Sequence, residues 1–236
     1  MYVLAFVNPK GGSGKTTAAL LLAEQIAKAG AKTVILDLDP NANMRREAGQ
    51  NVPFTIHARP SVDDTLAEIE ALRNEYEYLI IDLEGSKDQI VTFALSRTDL
   101  CIIPLDGSPM EARQAAQAVK LVKTTANMTR QDINYALLFT RTNAAFLSVD
   151  ERDVREEMED NGISVLPTRL AKRAPYTRIF REGLLLDEIY ENVRQDHNAK
   201  TRSLQEKAEK QITSAIENAQ DYAQAVMSEL TKGHFQ

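Results

Sequence analysis

The stretch Asn8-Pro9-Lys10-Gly11-Gly12-Ser13-Gly14-Lys15-Thr16-Thr17 joins the apolar run Tyr2–Val7 to a segment of helical period, Thr16–Ala29. A polyphosphate needs many hydrogen-bond donors in a small concave space. Gly11, Gly12 and Gly14 let a loop curl its backbone N–H groups around phosphate oxygens without side-chain clashes. Lys15 then reaches the β- and γ-phosphates as a point charge. Thr16, followed by Thr17, offers a hydroxyl to Mg²⁺ at the start of a helix whose dipole favours anions. A glycine-rich turn alone is a weak signal, but Gly-Lys-Thr-Thr between an apolar strand and a helix is specific.

Outward from this loop, short apolar runs alternate with segments of helical period. Strands are expected at Tyr2–Val7, Thr33–Asp37, Phe54–Ala58, Tyr78–Leu83, Leu100–Leu105, Asn134–Thr140 and Ser164–Leu166. They are rich in Ile, Val and Leu without strict alternation, as in strands covered on both faces. Helices are expected near Thr16–Ala29, Ser61–Asn74, Gln89–Ser96, Met110–Ala126 and Ser148–Asn161, with Ser61 and Asp64 forming a relative of the capping box. The alternation predicts an α/β fold, a doubly wound and mostly parallel sheet flanked by helices. Between Gly183 and Gly233 there is neither Gly nor Pro, and Leu204, Ala208, Ile212, Ala215, Ala219, Ala223, Val226 and Leu230 recur every three or four residues. That period predicts a C-terminal helical extension, broken near His197–Asn198 and packed on the sheet or on a partner subunit.

Composition narrows the function. With 43% hydrophobic residues among 236, the chain can bury a sizeable core. The 28 Lys and Arg against 34 Asp and Glu give a net charge of -6, so anion binding must use a local patch. The single cysteine, Cys101, excludes an internal disulfide and a zinc or iron–sulfur cluster held by one chain. His57, His197 and His234 form no ligand-spaced pair. No run approaches the ~18 apolar residues of a membrane span, and the N-terminal run is too short and lacks the basic leader of a signal peptide. A soluble, cytoplasmic chain is expected.

Position 9, where the ordinary Walker A pattern has glycine, holds Pro9, and a second lysine, Lys10, stands at the mouth of the loop. This Lys-Gly-Gly-x-Gly-Lys-Thr-Thr form resembles the deviant Walker A box of the ParA/MinD family of P-loop ATPases, most nearly the small, ParF-like ParA proteins of plasmid segregation. The resemblance implies ATP and Mg²⁺ as ligands and a nucleotide-sandwich homodimer in which Lys10 acts in trans and Lys15 in cis. Val34-Ile35-Leu36-Asp37-Leu38-Asp39-Pro40 looks like the family's Walker A-prime box, which implies Asp37 near the metal and Asp39 orienting the attacking water. Leu79-Ile80-Ile81-Asp82-Leu83-Glu84-Gly85 looks like its Walker B, a switch-type Asp-x-x-Gly, which implies Asp82 holding the metal through water. Cys101-Ile102-Ile103-Pro104-Leu105 and Ser108-Pro109 are similar to the family's Ile-Ile-Pro-Val strand and Ser-Pro helix start. Leu138-Phe139-Thr140-Arg141 resembles the strand whose end lies beside adenine, and Leu166-Pro167-Thr168-Arg169 the loop that closes its other side. Asn41 departs from the glutamine that often follows Asp-Pro. The resemblance spans residues 1–190, read as the ATPase domain, and residues 191–236 are the helical extension.

The function this implies is an ATP-dependent dimer switch that binds nonspecific DNA, is stimulated by a ParB-like or other partner protein, and positions plasmid DNA or other cargo while nucleoid-associated. A ParA-like ATPase assembling conjugation-type DNA-transfer complexes would use the same residues. A MinD-like membrane cycle is disfavoured, because Met227–Gln236 has one lysine and little apolar bulk. A ligase on the same fold leaves Lys10 without a role, the cysteine count opposes a reductase, and a non-hydrolysing scaffold conflicts with three intact phosphate motifs. For DNA, Arg169, Lys172, Arg173, Arg178 and Arg181 place five cations in thirteen residues with no acid among them. The competing reading pairs these cations with acidic helices or sets them in the base pocket, Arg169 first. Lys200, Arg202, Lys207 and Lys210 are a weaker patch, diluted by Glu206 and Glu209.

Overall fold

The computed structural model of the chain describes residues 1–38, 44, 52–57, 64–83, 89–195 and 202–232. Its strands are β1 (Tyr2–Phe6), β2 (Thr33–Asp37), β3 (Thr55–His57), β4 (Tyr78–Asp82), β5 (Leu100–Leu105), β6 (Asn134–Thr142) and β7 (Leu170–Ala171). Its helices are α1 (Lys15–Lys28), α2 (Thr65–Leu72), α3 (Gln89–Leu95), α4 (Pro109–Thr129), α5 (Val149–Asp160), α6 (Ala174–Glu182), α7 (Leu186–Gln195) and α8 (Arg202–Lys232). The strands pair in the order β3-β2-β4-β1-β5-β6-β7, and every pairing is parallel. All strands therefore point their C-terminal ends to one edge, where doubly wound sheets place ligands.

Each central strand feeds two cores. Leu4, Phe6, Ile35, Ile80 and Ile102 face α1 and the helices α6 to α8. Val3, Ala5, Val34, Leu79, Ile81 and Ile103 face α2 to α5. This two-sided burial is why the strands read as continuous apolar runs. The same holds for α1. Ala18 to Ala23 are all buried, because the helix lies between the sheet and α8 and so has no wide solvent face.

The structure moves several expected boundaries. The strand expected at Ser164–Leu166 is reduced to one bridge, Leu137 to Val165. Pro167 has no N–H to continue the ladder, so pairing resumes only at Leu170–Ala171. The second helix begins at Thr65 behind Asp64, which makes no side-chain cap, and Ser61 lies outside the described residues. Two helices, α6 and α7, occupy ground that the period alone did not divide. Their boundary is Gly183, at φ 65°, a left-handed position that closes α6. The expected break at His197–Asn198 also falls outside the described residues.

The C-terminal helix α8 has 31 residues and so runs ~46 Å. Its buried stripe starts at Ile212, whereas Leu204 is 60% exposed. The alanines of the stripe, Ala215, Ala219 and Ala223, bring α8 close to α1. There Tyr222 is fully buried and its hydroxyl donates to the carbonyl of Ala18 at 3.3 Å. No helix among the described residues is long and apolar enough to cross a membrane.

Tyr222 is thus the bolt between the last helix and the helix that follows the glycine-rich loop. Tyr222→Ala is expected to destabilise the fold by ~3–5 kcal/mol, as other large aromatic deletions do. Tyr222→Phe should cost only about 1 kcal/mol, the usual value of one hydrogen bond. Urea unfolding followed by circular dichroism measures both, and equal losses would move the weight from packing to the hydroxyl.

Candidate functional site

The loop between β1 and α1 is held from behind by side chains that bind its carbonyls. Lys15, 8% exposed, donates from Nζ to the carbonyls of Asn8 at 3.0 Å and Lys10 at 3.2 Å. Thr140 at the end of β6 sets its Oγ1 2.7 Å from the carbonyl of Ser13 and 3.2 Å from that of Leu105. Asn8 is fully buried, donates from Nδ2 to the carbonyl of Pro104 at 2.6 Å, and accepts the Lys10 amide at 2.9 Å. Gly14 begins α1 at φ 96°, and a Cβ there would meet Thr140 at 3.3 Å, so both conformation and space call for glycine.

These contacts leave the front of the loop to a ligand. No side chain caps α1, and its first turn holds no acidic residue, so the positive end of its dipole is not neutralised locally. Ser13 Oγ is buried without a hydrogen-bond partner among the described residues. The donor set fits a polyphosphate. A cavity of about 690 Å³ opens on the loop and is lined by Gly11, Gly12, Gly14, Lys15, Thr16 and Thr17 on one side. Thr140, Arg141, Leu170, Lys172, Arg173, Tyr176 and Phe180 form the other walls. Its size suits a nucleotide or comparable ligand.

Asp37 and Asp82 stand side by side. They are register partners at the C-terminal ends of β2 and β4, and both are almost fully buried. Two adjacent carboxylates near a hydroxylic helix start are hard oxygen donors of the kind Mg²⁺ prefers. Asp37 also accepts the Met44 amide at 3.3 Å. Asp39, Asn41, Glu84 and Gly85 lie outside the described residues.

Lys10 is engaged within its own chain. Its ammonium pairs with Glu111, a carboxylate only 1% exposed at the start of α4. That contact raises the Lys10 pKa above its ordinary value, with burial opposing the rise. Glu111 is placed there by Ser108, whose Oγ accepts the Glu111 amide at 3.3 Å and caps the helix. The sequence reading had no role for Glu111 or Asn8. The Ser-Pro-x-Glu spacing at α4 was the available signal for the first.

The segment after β6 differs from expectation. Pro167 and Arg169 are not among the cavity-lining residues. Arg169 turns to α5, where its guanidinium pairs with the buried Glu151 at 3.2 Å. Asn218 of α8 accepts the Ala171 amide at 3.1 Å and donates to the Arg169 carbonyl at 2.9 Å, which fixes the turn into β7. The cavity wall comes instead from Leu170, Lys172, Arg173, Tyr176 and Phe180. Pro175 near the start of α6 and Gly183 at its end were the signals for this helix. Of the cations expected to bind DNA, Lys172 and Arg173 line the cavity, while Arg178 and Arg181 both contact Glu182, at 2.8 and 2.7 Å. The paired guanidiniums lower the Glu182 pKa, Arg178 most.

Comparison with known proteins agrees with this geometry. The profile of the CobQ/CobB/MinD/ParA nucleotide binding domain matches residues 4–229. Protein ParA of Rhizobium radiobacter is 28% identical over 236 residues, covering 98% of this chain and 99% of its own. Protein virC1 of the same organism is 23% identical over 193 residues, 78% of this chain and 83% of its own. Among solved structures, an ATP complex of a Cyanothece McdA variant superposes with a TM-score of 0.73 at 16% identity, covering 96% of both chains. At that identity the likeness speaks to fold.

The Thr140 hydroxyl can be tested without disturbing packing. Thr140→Val keeps the shape but removes the donor that holds the Ser13 carbonyl. Nucleotide affinity is expected to fall about tenfold, the equivalent of one well-placed hydrogen bond, with the melting temperature lowered by a few degrees at most. Isothermal titration alongside thermal melting reads both, and unchanged affinity would mean that the loop needs no anchor at β6.

Proposed function

Because the chain belongs to the CobQ/CobB/MinD/ParA nucleotide-binding domain family, we propose that it is a ParA-type ATPase, an ATP-dependent dimer switch that binds nonspecific DNA and positions plasmid DNA or other cargo with a partner protein. The observation that carries this reading is the loop itself. Its carbonyls are tied from behind and its helix start is uncapped, beside the adjacent carboxylates of Asp37 and Asp82.

The roles follow from charge and position. Gly11, Gly12, Ser13, Gly14 and Thr17 supply backbone donors to the phosphates, and Lys15 supplies a fixed cation. Thr16, Asp37 and Asp82 would hold Mg²⁺, which neutralises charge on the β- and γ-phosphates when bound. Leu170, Tyr176 and Phe180 give the cavity an apolar side suited to a base. Asp39 orients the attacking water. Lys10 serves the nucleotide of the facing subunit once it leaves Glu111. Basal turnover is slow and rises with a ParB-like or other stimulating protein, which gives the switch its timing.

DNA binding uses Lys172, Arg173, Arg178 and Arg181 on each subunit, doubled by dimerisation. The contacts to Glu182 do not bar this use. Partly exposed ion pairs are worth only ~0–1 kcal/mol, less than an arginine gains on a phosphodiester with release of counterions. The protein then acts at the nucleoid, and binding weakens steeply with salt.

Size-exclusion chromatography with light scattering, with and without Mg-ATP, tests the switch. The wild type is expected to dimerise only with ATP, and Lys10→Ala to bind ATP through Lys15 yet stay monomeric. An ATP-bound dimer of Lys10→Ala would sink the trans role. Asp39→Ala is expected to bind ATP and dimerise but to lose most of its turnover in a phosphate-release assay, and near-normal turnover would remove Asp39 from the chemistry.

Mobility shifts at two salt concentrations test the DNA surface with Arg178→Ala combined with Arg181→Ala, which spares the cavity-lining cations. The variant should dimerise normally and bind DNA more weakly, with a salt slope smaller by about two per subunit. Unchanged affinity at both salts would place the DNA surface elsewhere.

A further inference from the structure

Arg141 is the one residue of the cavity wall whose backbone pays for its place. It sits at φ 56°, in the left-handed region, where a residue with a side chain is disfavoured. Its neighbours are tied on both sides. Thr140 is tied to the loop carbonyl of Ser13, and the Thr142 carbonyl accepts the Lys172 amide at 2.8 Å. Between them the β6–β7 register shifts, leaving Arg141 as the extra residue of an irregular ladder. Strain maintained from both sides in this way is a feature of ligand clamps.

The result of the kink is a definite position for the guanidinium. Arg141 Nη1 lies 3.7 Å from where a Cβ on Gly12 would stand, so it hangs over the phosphate loop. The residue is exposed and lines both the main cavity and a neighbouring hollow that contains Asp106, Ser108 and Asp150. It forms no ion pair with either aspartate, nor any other ion pair or hydrogen bond among the described residues. It also stands close enough to Lys10 to oppose the protonation of that lysine. Two cations converging on one glycine loop, one of them with no carboxylate partner among the described residues, make a site for an anion.

We infer that Arg141 reads the phosphates of the bound nucleotide, and that its guanidinium, held over Gly12 by the left-handed turn at the end of β6, is aimed at them instead of at the base. This rests on the nucleotide reading above and departs from the adenine-side role that the resemblance implied for this position. Arginine suits the task because its planar fork can give two hydrogen bonds to one phosphate. Glycine would relieve the backbone at this position, so arginine here carries a conformational cost.

The test uses the full chain with Arg141→Gly and Arg141→Lys, titrated in Mg²⁺ with ATP, GTP and inorganic tripolyphosphate. Arg141→Gly is compatible with φ 56°, so it should melt at or above the wild-type temperature. It should also lose about tenfold or more in affinity for all three ligands together, with the ATP-to-GTP ratio unchanged. Arg141→Lys should recover part of the loss, since it restores charge without the fork. A changed ATP-to-GTP ratio with tripolyphosphate binding intact would assign Arg141 to the base and overturn the inference. A lower melting temperature with proportionate loss of all ligands would make it a structural residue and also overturn it. Failure of the wild type to bind ATP or tripolyphosphate would instead overturn the nucleotide reading itself.

Discussion

The loop after β1 can turn its amides toward a ligand only because its carbonyls are already bound behind it. A backbone that exposes several N–H groups to one point must send its C=O groups somewhere, and in a buried setting those groups require partners. Lys15 takes two of them, and Thr140 takes a third. Asn8 ties the loop to β5 through Pro104. Three strands, β1, β5 and β6, thus converge on one loop, and their adjacency in the sheet is what makes the convergence available. Each contact is worth only about 1 kcal/mol net, so the loop is held by the sum of its braces and not by any one of them. The outcome is preorganisation, which reduces the ordering cost of binding an anion.

The far end of the chain contributes to the same site. Asn218 on α8 holds the backbone at Arg169 and Ala171, and Tyr176 donates from its hydroxyl to the Ala215 carbonyl at 2.9 Å. The wall of the cavity that follows β7 is therefore fixed by the last helix, through contacts spanning 39 to 49 residues. Tyr222 ties that helix to α1, whose N-terminus faces the cavity. A helix that reads as a covering layer in sequence is, in the fold, a brace for both sides of the ligand site.

What the sequence made legible follows the range of the interactions involved. The loop residues Gly11 to Thr17 are local, and their spacing alone gave the strand, turn and helix. Strands with no competing period, such as Thr33–Asp37 and Leu100–Leu105, came out with their observed bounds. The wall beyond β6 did not. Pro167 interrupts the ladder there, and the choice between Arg169 and Arg173 as cavity residues depends on Glu151 and Asn218, which are distant in the chain. Glu111 was missed for a related reason. A glutamate at the third position of a capped helix reads as a dipole partner, and only the sheet order brings it under Lys10.

That pairing bears on the trans role proposed for Lys10. Glu111 is buried, has no second side-chain partner among the described residues, and depends on Lys10 for compensation. Withdrawing the Lys10 ammonium would leave the buried Glu111 carboxylate uncompensated, which is unfavourable. Any state in which Lys10 reaches a facing subunit must offset that cost with new contacts, and phosphate oxygens are the acceptors best able to do so. Without nucleotide, two subunits meeting at this edge would gain no such acceptor, and Lys10 would stay on Glu111. With nucleotide on both sides of the proposed dimer, the exchange would occur twice across its two-fold axis, so its free energy would count twice in one equilibrium. In the proposed dimer, a carboxylate hidden under the loop mouth would thereby set a threshold. On the proposed trans role of Lys10, it would make the closed pair of subunits conditional on the triphosphates, and the sharpness of the proposed switch would follow from the pairing of Lys10 with Glu111.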